Sequence, residues 1–193
     1  ERTVLVGGCS PDCKEQSGFT QAFDVPVFDT VEELLDNCLP DVVSICSSSQ
    51  LHGPPVMQCI QAGIPLVWLE KPPAQFTHEL QEMLEALDRQ GNKTRILVNY
   101  QRRYQNTYNQ LRKLYLEKTL GECRGINITY SRGLETNGSH MLDILYYITG
   151  DTDDIHLEWV SSGEAESPSF ALVGPGGEQV APPAAGKQTC QQK

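Results

Sequence analysis

Two segments of this sequence carry side chains that can exchange protons. In the first, at Val67–Ala74, an apolar run ends in Glu70, Lys71 and two prolines. An amine beside a carboxylate can donate or accept a proton, or hydrogen-bond a carbonyl oxygen. Pro72 and Pro73 cannot donate to a sheet, and Pro72 restricts the residue before it, so we expect Lys71 on a stiff, non-helical turn. The alternative is an ordinary solvated turn at the end of a strand.

The second segment runs from Asn137 to Asp143 and opens a predicted helix. The apolar residues of that helix recur at i, i+3, i+4 and i+7, and they form its buried stripe: Met141, Ile144, Leu145 and Ile148. His140 and Asp143 are three apart and share an adjacent face, so the carboxylate could fix the histidine tautomer and raise its basicity. The alternative is an exposed histidine at the helix cap.

Polar residues also follow two other predicted strands. Ser47–His52 comes after the apolar strand 41–46, where small hydroxyl residues let a ligand approach the backbone. The next helix should offer N–H groups there to phosphate or carbonyl oxygens. Asn99–Tyr104 follows the strand 95–99, and Arg103 within it is either a ligand-binding cation or a structural ion-pair partner. A serine-rich loop can also be a plain surface loop.

Strands and helices alternate over the first 100 residues and would position these segments. We predict strands at 3–9, 25–28, 41–46, 64–69 and 95–99, and helices at 12–23, 30–37, 54–62 and 76–90. Short links and continuous apolar strands are typical of a parallel sheet buried on both faces, with right-handed crossovers. The first part of the chain is therefore predicted to be an α/β domain.

The pattern changes after Tyr100. We predict a polar helix to about Lys118, an alternating strand at Ile126–Ser131, a helix from Gly138 to Thr149 capped by Asn137, and two or three strands within 155–180. Alternation of apolar and polar residues is typical of a half-exposed antiparallel sheet. The predicted domains are therefore 1–100 and 101–180. Residues 181–193 are rich in Pro, Ala, Gly and Gln, and we expect them to be disordered.

Composition narrows the class of protein. The 193 residues include 25 acidic and 15 basic side chains, and a net charge of -10 argues against a nucleic-acid surface. No apolar run approaches the roughly 20 residues of a membrane helix. Seven cysteines are scattered without a CxxC pair, so we expect free thiols in a reducing cytosol and no metal site. We find no signal peptide and expect a cytoplasmic protein.

Taken together, the four polar segments resemble the Gfo/Idh/MocA family of NAD(P)-dependent oxidoreductases. The matching stretches read DVVSICSSSQLH, AGIPLVWLEKPPA, VNYQRRY and NGSHMLDILYYITGD, within about residues 3 to 180. The most specific parts are Glu70-Lys71-Pro72 and Gly138-Ser139-His140 with Asp143. The resemblance implies an α/β fold class: a partial Rossmann domain with a doubly wound parallel sheet, followed by a truncated α+β domain with an antiparallel sheet.

The resemblance also implies an activity and a set of site residues. Hydride would pass between a sugar- or polyol-like carbinol and a nicotinamide cofactor. Lys71 and His140 would be catalytic, and Arg103, Asp143 and Asn137 would bind the substrate. The implied cofactor-facing residues are Ser10, Ser47, Ser48, His52, Glu70, Lys71 and Asn99. A homo-oligomer is expected because open antiparallel sheets commonly pair face to face.

Three departures from the family pattern change these expectations. The sequence has no GxGxxG loop, and Thr3–Cys9 resembles the second strand of the family, so we expect the first strand and its glycine loop to be missing. Thr136 stands where many members have a catalytic aspartate. The second domain looks short after Val180. We therefore expect a fragment or a mis-predicted gene product. Two alternative functions stay open: a non-catalytic dinucleotide-binding regulatory member, and a glycosidase or epimerase that oxidises its substrate transiently.

The resemblance bears on cofactor preference too. Members that prefer NAD hold the ribose hydroxyls with an acid at the end of the second strand, and Ser10 has that place here. Lys14 follows four residues later. The loss of an acid and the gain of a cation favour a 2′-phosphate, so we expect NADP rather than NAD.

Overall fold

The computed structural model describes residues 3–123, 125, 126, 128, 130, 133–150, 156–161 and 169–173. The chain divides into two compact units, Glu1–Tyr100 and Gln101–Lys193. In the first unit, strands and helices alternate in the order β1 Gly8–Cys9, α1 Cys13–Phe23, β2 Val27–Phe28, α2 Val31–Cys38, β3 Val42–Ile45, α3 Gly53–Ala62, β4 Leu66–Leu69, α4 Thr77–Arg89 and β5 Arg95–Val98. A short 3-10 helix, Ser49–Leu51, precedes α3.

The strands of the first unit pair in parallel. One sheet has the order β3-β4-β5, and β1 and β2 form a separate two-stranded sheet. In the larger sheet Ile45 is opposite Leu69, which is opposite Val98. Parallel strands linked by helices define the α/β class, so the predicted fold class is confirmed.

The core of the first unit lies on one face of the three-stranded sheet. Val67 and Leu69 are 0% exposed, whereas Trp68 is 37% and Val42 is 48% exposed. Residues of α3 and α4 cover the inner face, including Val56, Cys59, Ile60, Met83 and Ala86. The prediction that these strands are buried on both faces is therefore wrong. A continuous apolar run does not reveal how many faces receive a helix.

The first strand is shorter than the predicted 3–9. Its ladder contains only Gly8 opposite Val27 and Cys9 opposite Phe28. Val4 is 74% exposed. Strand length depends on the partner as well as on β propensity, and β2 offers only two paired residues.

Local signals place the helix ends well. The Asp12 side chain accepts from Lys14 N at 2.7 Å and caps α1. Thr30 caps α2 by accepting from Glu33 N at 3.2 Å. Gly63 ends α3 with a φ of 71°, a conformation that glycine adopts without steric cost.

The second unit begins with a 3-10 helix, Gln101–Tyr104, followed by α5 Asn106–Leu116 and α6 Ser139–Thr149. A π-helical turn, Gly133–Gly138, leads directly into α6. Asn137 therefore lies inside helical structure and is not the predicted cap. Two antiparallel strands follow, β6 His156–Ser161 and β7 Ser169–Val173.

Some predictions for the second unit fall outside the described residues. Of the predicted strand Ile126–Ser131, only 126, 128 and 130 are described, and none of these has a strand assignment. The predicted tail 181–193 and Cys190 lie wholly outside. The six cysteines within the described ranges are free thiols.

The described ranges contain neither a membrane-spanning helix nor a cluster of metal-binding side chains. None of their helices is both long and apolar enough to cross a membrane. Their His, Cys, Asp and Glu side chains form no group of three that could hold a metal ion.

Candidate active-site residues

The ends of β3, β4 and β5 lie level with one another. Because Ile45, Leu69 and Val98 are in register, the next residues along each strand are also neighbours. Glu70 N donates to the Ile45 carbonyl at 3.0 Å, and Asn99 N donates to the Leu69 carbonyl at 2.8 Å. Open α/β sheets bind ligands just outside such carboxyl ends. The sequence-predicted residues of three separate segments therefore come together at one sheet edge.

Glu70 and Asn99 are joined at this edge. The Asn99 side-chain amide donates to Glu70 Oε1 at 2.6 Å. Lys71 follows Glu70, is partly exposed, and precedes Pro72 through a cis peptide bond. Neither Pro72 nor Pro73 has an N–H group, so the turn ends the ladder immediately after Glu70. The amine is thus presented at the sheet edge by a turn without backbone donors at its next two residues.

The serine loop lies beside the same edge. Ser47 and Ser48 are exposed, and Ser47 Oγ donates to the Leu51 carbonyl at 3.4 Å. Pro54 and Pro55 occupy the first turn of α3 and have no N–H, so these two residues offer no backbone donor to a ligand. The exposed serine hydroxyls are further hydrogen-bonding groups of this loop.

His52 is buried beneath this loop. It is 1% exposed. Its Nδ1 lies 2.8 Å from the Pro72 carbonyl oxygen, and its Nε2 lies 3.0 Å from the Ser47 carbonyl oxygen. The ring joins the serine loop to the lysine turn and has almost no surface left for direct contact with a ligand.

Ser10 lies at the end of β1 among carboxylates. Its hydroxyl donates to Glu15 Oε2 at 2.6 Å. Gln16 Nε2 bridges the Ser10 carbonyl, at 2.7 Å, and Asp29 Oδ1, at 2.6 Å. The pKa of the neighbouring Cys9 thiol is raised by burial first, and then by the charges of Asp29 and Glu33. The strand end is therefore electronegative.

In the second unit, Arg103 and Asp143 form an ion pair. Arg103 Nε donates to both carboxylate oxygens at 2.8 and 2.9 Å, and Nη2 lies 2.6 Å from Oδ1. Asp143 is 8% exposed. This hydrogen bond is the main reason that the pKa of Arg103 is raised. Of the two interpretations left open for Arg103, the structure shows the ion-pair partner.

His140 lies on the buried side of α6. It is 9% exposed, so the alternative of an exposed capping histidine is wrong. Asp143, one turn further along the helix, is engaged by Arg103. Asn137 and Thr136 belong to the π-helical turn before α6, where Ser139 Oγ donates to the Thr136 carbonyl at 2.9 Å.

Sequence reasoning missed two residues at these sites. Glu15, the partner of Ser10, is the third residue of α1, and an acid just past a strand end was the available signal. Tyr147 lies under two guanidinium groups, Arg103 at 5.5 Å and Arg112 at 4.9 Å from its ring. Arg112 also donates to the Tyr147 carbonyl, and the Tyr147 hydroxyl donates to Asn109. Nothing local in the sequence predicts that arrangement.

Parallel strands that are followed by serine, Glu-Lys-Pro and asparagine define a Rossmann-type α/β protein with polar groups at the carboxyl edge of its sheet. Residues 1–100 match the family model described as "Oxidoreductase family, NAD-binding Rossmann fold". The chain belongs to this family, Gfo/Idh/MocA, as its four segments predicted.

Relatives of known name support this assignment. The chain is 27% identical over 169 residues to D-glucoside 3-dehydrogenase of Escherichia coli K12, covering 76% of this chain and 46% of that protein. It is 29% identical over 109 residues to scyllo-inositol 2-dehydrogenase (NADP(+)) IolW of Bacillus subtilis, covering 56% of this chain and 30% of that protein. The chain thus spans less than half the length of these two relatives.

A solved structure shows the same fold. The WlbA dehydrogenase from Bordetella pertussis, in complex with NADH and UDP-GlcNAcA, superposes with a TM-score of 0.70 at 21% identity. The match covers 90% of this chain and 57% of that one.

Proposed function

We propose that this chain is part of an oxidoreductase that transfers hydride between a carbinol of a sugar or polyol and a nicotinamide cofactor. The observation that carries the proposal is the level alignment of three strand ends, which brings the serine loop, Glu70-Lys71 and Asn99 to one edge. Sugar and polyol dehydrogenases among the named relatives support the substrate class. In this proposal 1–100 is the cofactor domain and 101–180 the substrate domain.

The residues at the sheet edge fit the nicotinamide half of such a cofactor. The exposed hydroxyls of Ser47 and Ser48 can hydrogen-bond a carboxamide. The hydrogen bond between Asn99 and Glu70 joins the ends of the two neighbouring strands. We therefore keep Ser47, Ser48, Glu70 and Asn99 as proposed cofactor-facing residues. When bound, the nicotinamide ring supplies a two-electron acceptor for the hydride.

Lys71 is the proposed proton acceptor. Oxidation of a carbinol breaks one C–H and one O–H bond and forms a carbonyl. The hydride leaves with its electron pair, and the hydroxyl proton passes to the Lys71 amine, which becomes an ammonium. Such general-base help contributes about 10²–10⁴-fold in rate. In the second unit, we propose that His140 hydrogen-bonds the substrate hydroxyl or takes its proton, and that Asn137, Arg103 and Asp143 contribute to substrate binding.

For the cofactor, we propose NAD rather than the NADP favoured by Ser10 and Lys14. The structure adds the carboxylate of Glu15 at 2.6 Å from the Ser10 hydroxyl, and Gln16 links the Ser10 carbonyl to the carboxylate of Asp29. Negative charge at the ribose site disfavours a 2′-phosphate, and a carboxylate can accept from ribose hydroxyls.

We also propose a homo-oligomer in the cytoplasm. The names of the relatives say nothing about assembly. The predicted open antiparallel sheet supports the oligomer, and the free thiols support the cytoplasm. Light scattering coupled to size exclusion tests this, since a monomer at tens of micromolar would contradict it.

The deciding experiment compares binding with turnover. The purified chain is titrated with NADH and NADPH by nicotinamide fluorescence, and then assayed for reduced cofactor with sugars and polyols. Lys71→Ala is expected to keep cofactor affinity within about threefold and to lose about 10²-fold or more in kcat. Lys93→Ala, an exposed lysine in the same unit, is the matched control.

Each alternative has its own outcome. Cofactor binding without any turnover would favour a non-catalytic binding protein. Thr136, at the position where many members have a catalytic aspartate, supports that alternative. Product release without net cofactor reduction would favour a transient-oxidation glycosidase or epimerase. A folded chain that binds neither nucleotide contradicts the proposal.

A further inference from the structure

We propose that His52 is a positioning residue that sets the conformation of the Lys71 turn through its hydrogen bond to Pro72. The inference rests on the proposed function only in giving Lys71 a chemical role. The contact itself joins two segments 20 residues apart in sequence.

Both the backbone of His52 and the burial of its side chain fix the position of the ring. The residue precedes α3, and its carbonyl accepts from Val56 N at 3.2 Å, so its backbone belongs to the helix start. Its side chain is almost fully buried, at 1% exposure. A ring held by a helix start and surrounded by protein has little rotational freedom, so it can serve as a fixed donor.

The turn needs such a donor. Pro72 and Pro73 carry carbonyl groups but no N–H, so this segment cannot complete its hydrogen bonding by a regular ladder. A carbonyl that is buried without a partner costs about 1–3 kcal/mol. The His52 Nδ1 at 2.8 Å supplies the partner for the carbonyl of Pro72, directly after Lys71.

The two ring contacts are not equivalent. Both ring nitrogens face carbonyl oxygens, which can only accept, and a neutral imidazole carries one N–H. The contact to Pro72 at 2.8 Å is shorter than the contact to Ser47 at 3.0 Å. We infer that Nδ1 carries a proton and holds the lysine turn, whether or not Nε2 also donates to the serine loop.

Two amide variants separate these contacts. In His52→Asn the side-chain nitrogen can take the place of Nδ1 and donate to Pro72. In His52→Gln the longer side chain can place its nitrogen near Nε2 and donate to Ser47. His52→Leu removes both donors. His78→Leu is the matched control, because His78 is exposed on α4 and stacks on Phe76 at 5.6 Å.

The test is amide hydrogen exchange at Glu70, whose N–H donates to the Ile45 carbonyl at 3.0 Å directly before the lysine turn, measured without cofactor or substrate. We expect exchange at this amide to accelerate on the order of tenfold in His52→Leu and His52→Gln, and to stay near wild type in His52→Asn and His78→Leu. Exchange at Val56 reports whether α3 stays folded. Equal exchange in the Asn and Gln variants, or no change in the Leu variant, overturns the proposal.

A second measurement needs no variant. The ¹⁵N chemical shifts of the His52 ring in the native chain show which nitrogens carry protons. A proton on Nδ1 supports the proposal, and a ring protonated only on Nε2 overturns it. Neither readout depends on catalysis, so failure of the proposed function and failure of this inference are distinguishable.

Discussion

The Asn99 side-chain amide donates to the Glu70 carboxylate at 2.6 Å and joins the ends of two adjacent parallel strands. The two residues are 29 positions apart in sequence. Glu70 follows Leu69 and Asn99 follows Val98, and Leu69 and Val98 are opposite each other in the sheet. The register of the sheet therefore decides which polar side chains meet beside Lys71. This hydrogen bond to a carboxylate orients the Glu70 side chain and restricts its rotation next to Lys71.

Exchanging the two functional groups tests this pair. Asn99→Asp replaces the hydrogen bond by two facing carboxylates, and we expect the free energy of unfolding to fall by about 2 kcal/mol. Adding Glu70→Gln restores a donor and an acceptor in reversed order, and we expect most of the loss to be recovered. Urea unfolding of both single variants and the double variant measures the coupling. If the single effects simply add, the side chains do not interact.

Removing one partner of the Arg103–Asp143 pair is expected to destabilise the second unit. Arg103→Ala leaves the Asp143 carboxylate, 8% exposed, without its guanidinium partner. We expect a loss of about 2 kcal/mol, below the cost for a fully buried pair, because the Arg103 side chain is 42% exposed. Arg103→Lys should recover only part of this, since a lysine cannot form the same side-on contacts with both oxygens.

Urea-induced unfolding of the Arg103 variants measures this loss of stability. The control is Lys113→Ala, which removes an exposed i,i+4 pair with Glu117 at 3.9 Å. We expect that change to stay within about 0.5 kcal/mol. Equal losses in the Arg103 and Lys113 variants would show that the buried carboxylate does not matter.

Charge at residue 15 is expected to control the choice between NADH and NADPH. Glu15→Lys replaces the carboxylate that accepts from Ser10 by a cation that can pair with a 2′-phosphate. We expect the ratio of NADPH to NADH affinity to rise by about tenfold, and by a smaller factor in Glu15→Gln. Fluorescence titration measures both constants. Glu82→Gln, an exposed acid on α4, controls for net charge, and an unchanged ratio in Glu15→Lys would contradict the assignment of NAD.

The buried thiol of Cys59 is expected to make the fold sensitive to alkaline pH. Burial raises its pKa from 9.0 to about 11. Because the folded value is the higher one, the unfolded chain loses the proton first. This contribution to stability is therefore complete below about pH 9 and is lost as the pH rises towards 11.

Urea unfolding at several pH values measures this contribution. Wild type should lose up to about 1.4 kcal/mol more per pH unit than Cys59→Ala within that window. The variant has a lower stability overall, because a cavity replaces the sulfur, but a shallower pH slope. Parallel slopes for the two proteins would rule out ionisation of Cys59.

Local features of this chain follow from its sequence because short-range physics determines them. Asp12 and Thr30 cap helices through contacts with residues two or three positions away, and Gly63 ends a helix by its own backbone freedom. The alternation of strands and helices predicted a parallel sheet. The positions of the polar segments just after the strands predicted that they would share one edge, since parallel strands end on the same side.

The tertiary structure decided which groups meet, because contacts between distant residues depend on register, helix orientation and burial. Nothing local in the sequence predicts that the Asp143 carboxylate accepts from Arg103, 40 residues earlier. Ser10 and Lys14 favoured a 2′-phosphate in the sequence, and only the structure shows that the Ser10 hydroxyl donates to Glu15. His52 reads in sequence as a ligand-facing loop residue. Only the structure shows that its ring is buried and lies 2.8 Å from the Pro72 carbonyl, in a segment whose prolines have no N–H of their own.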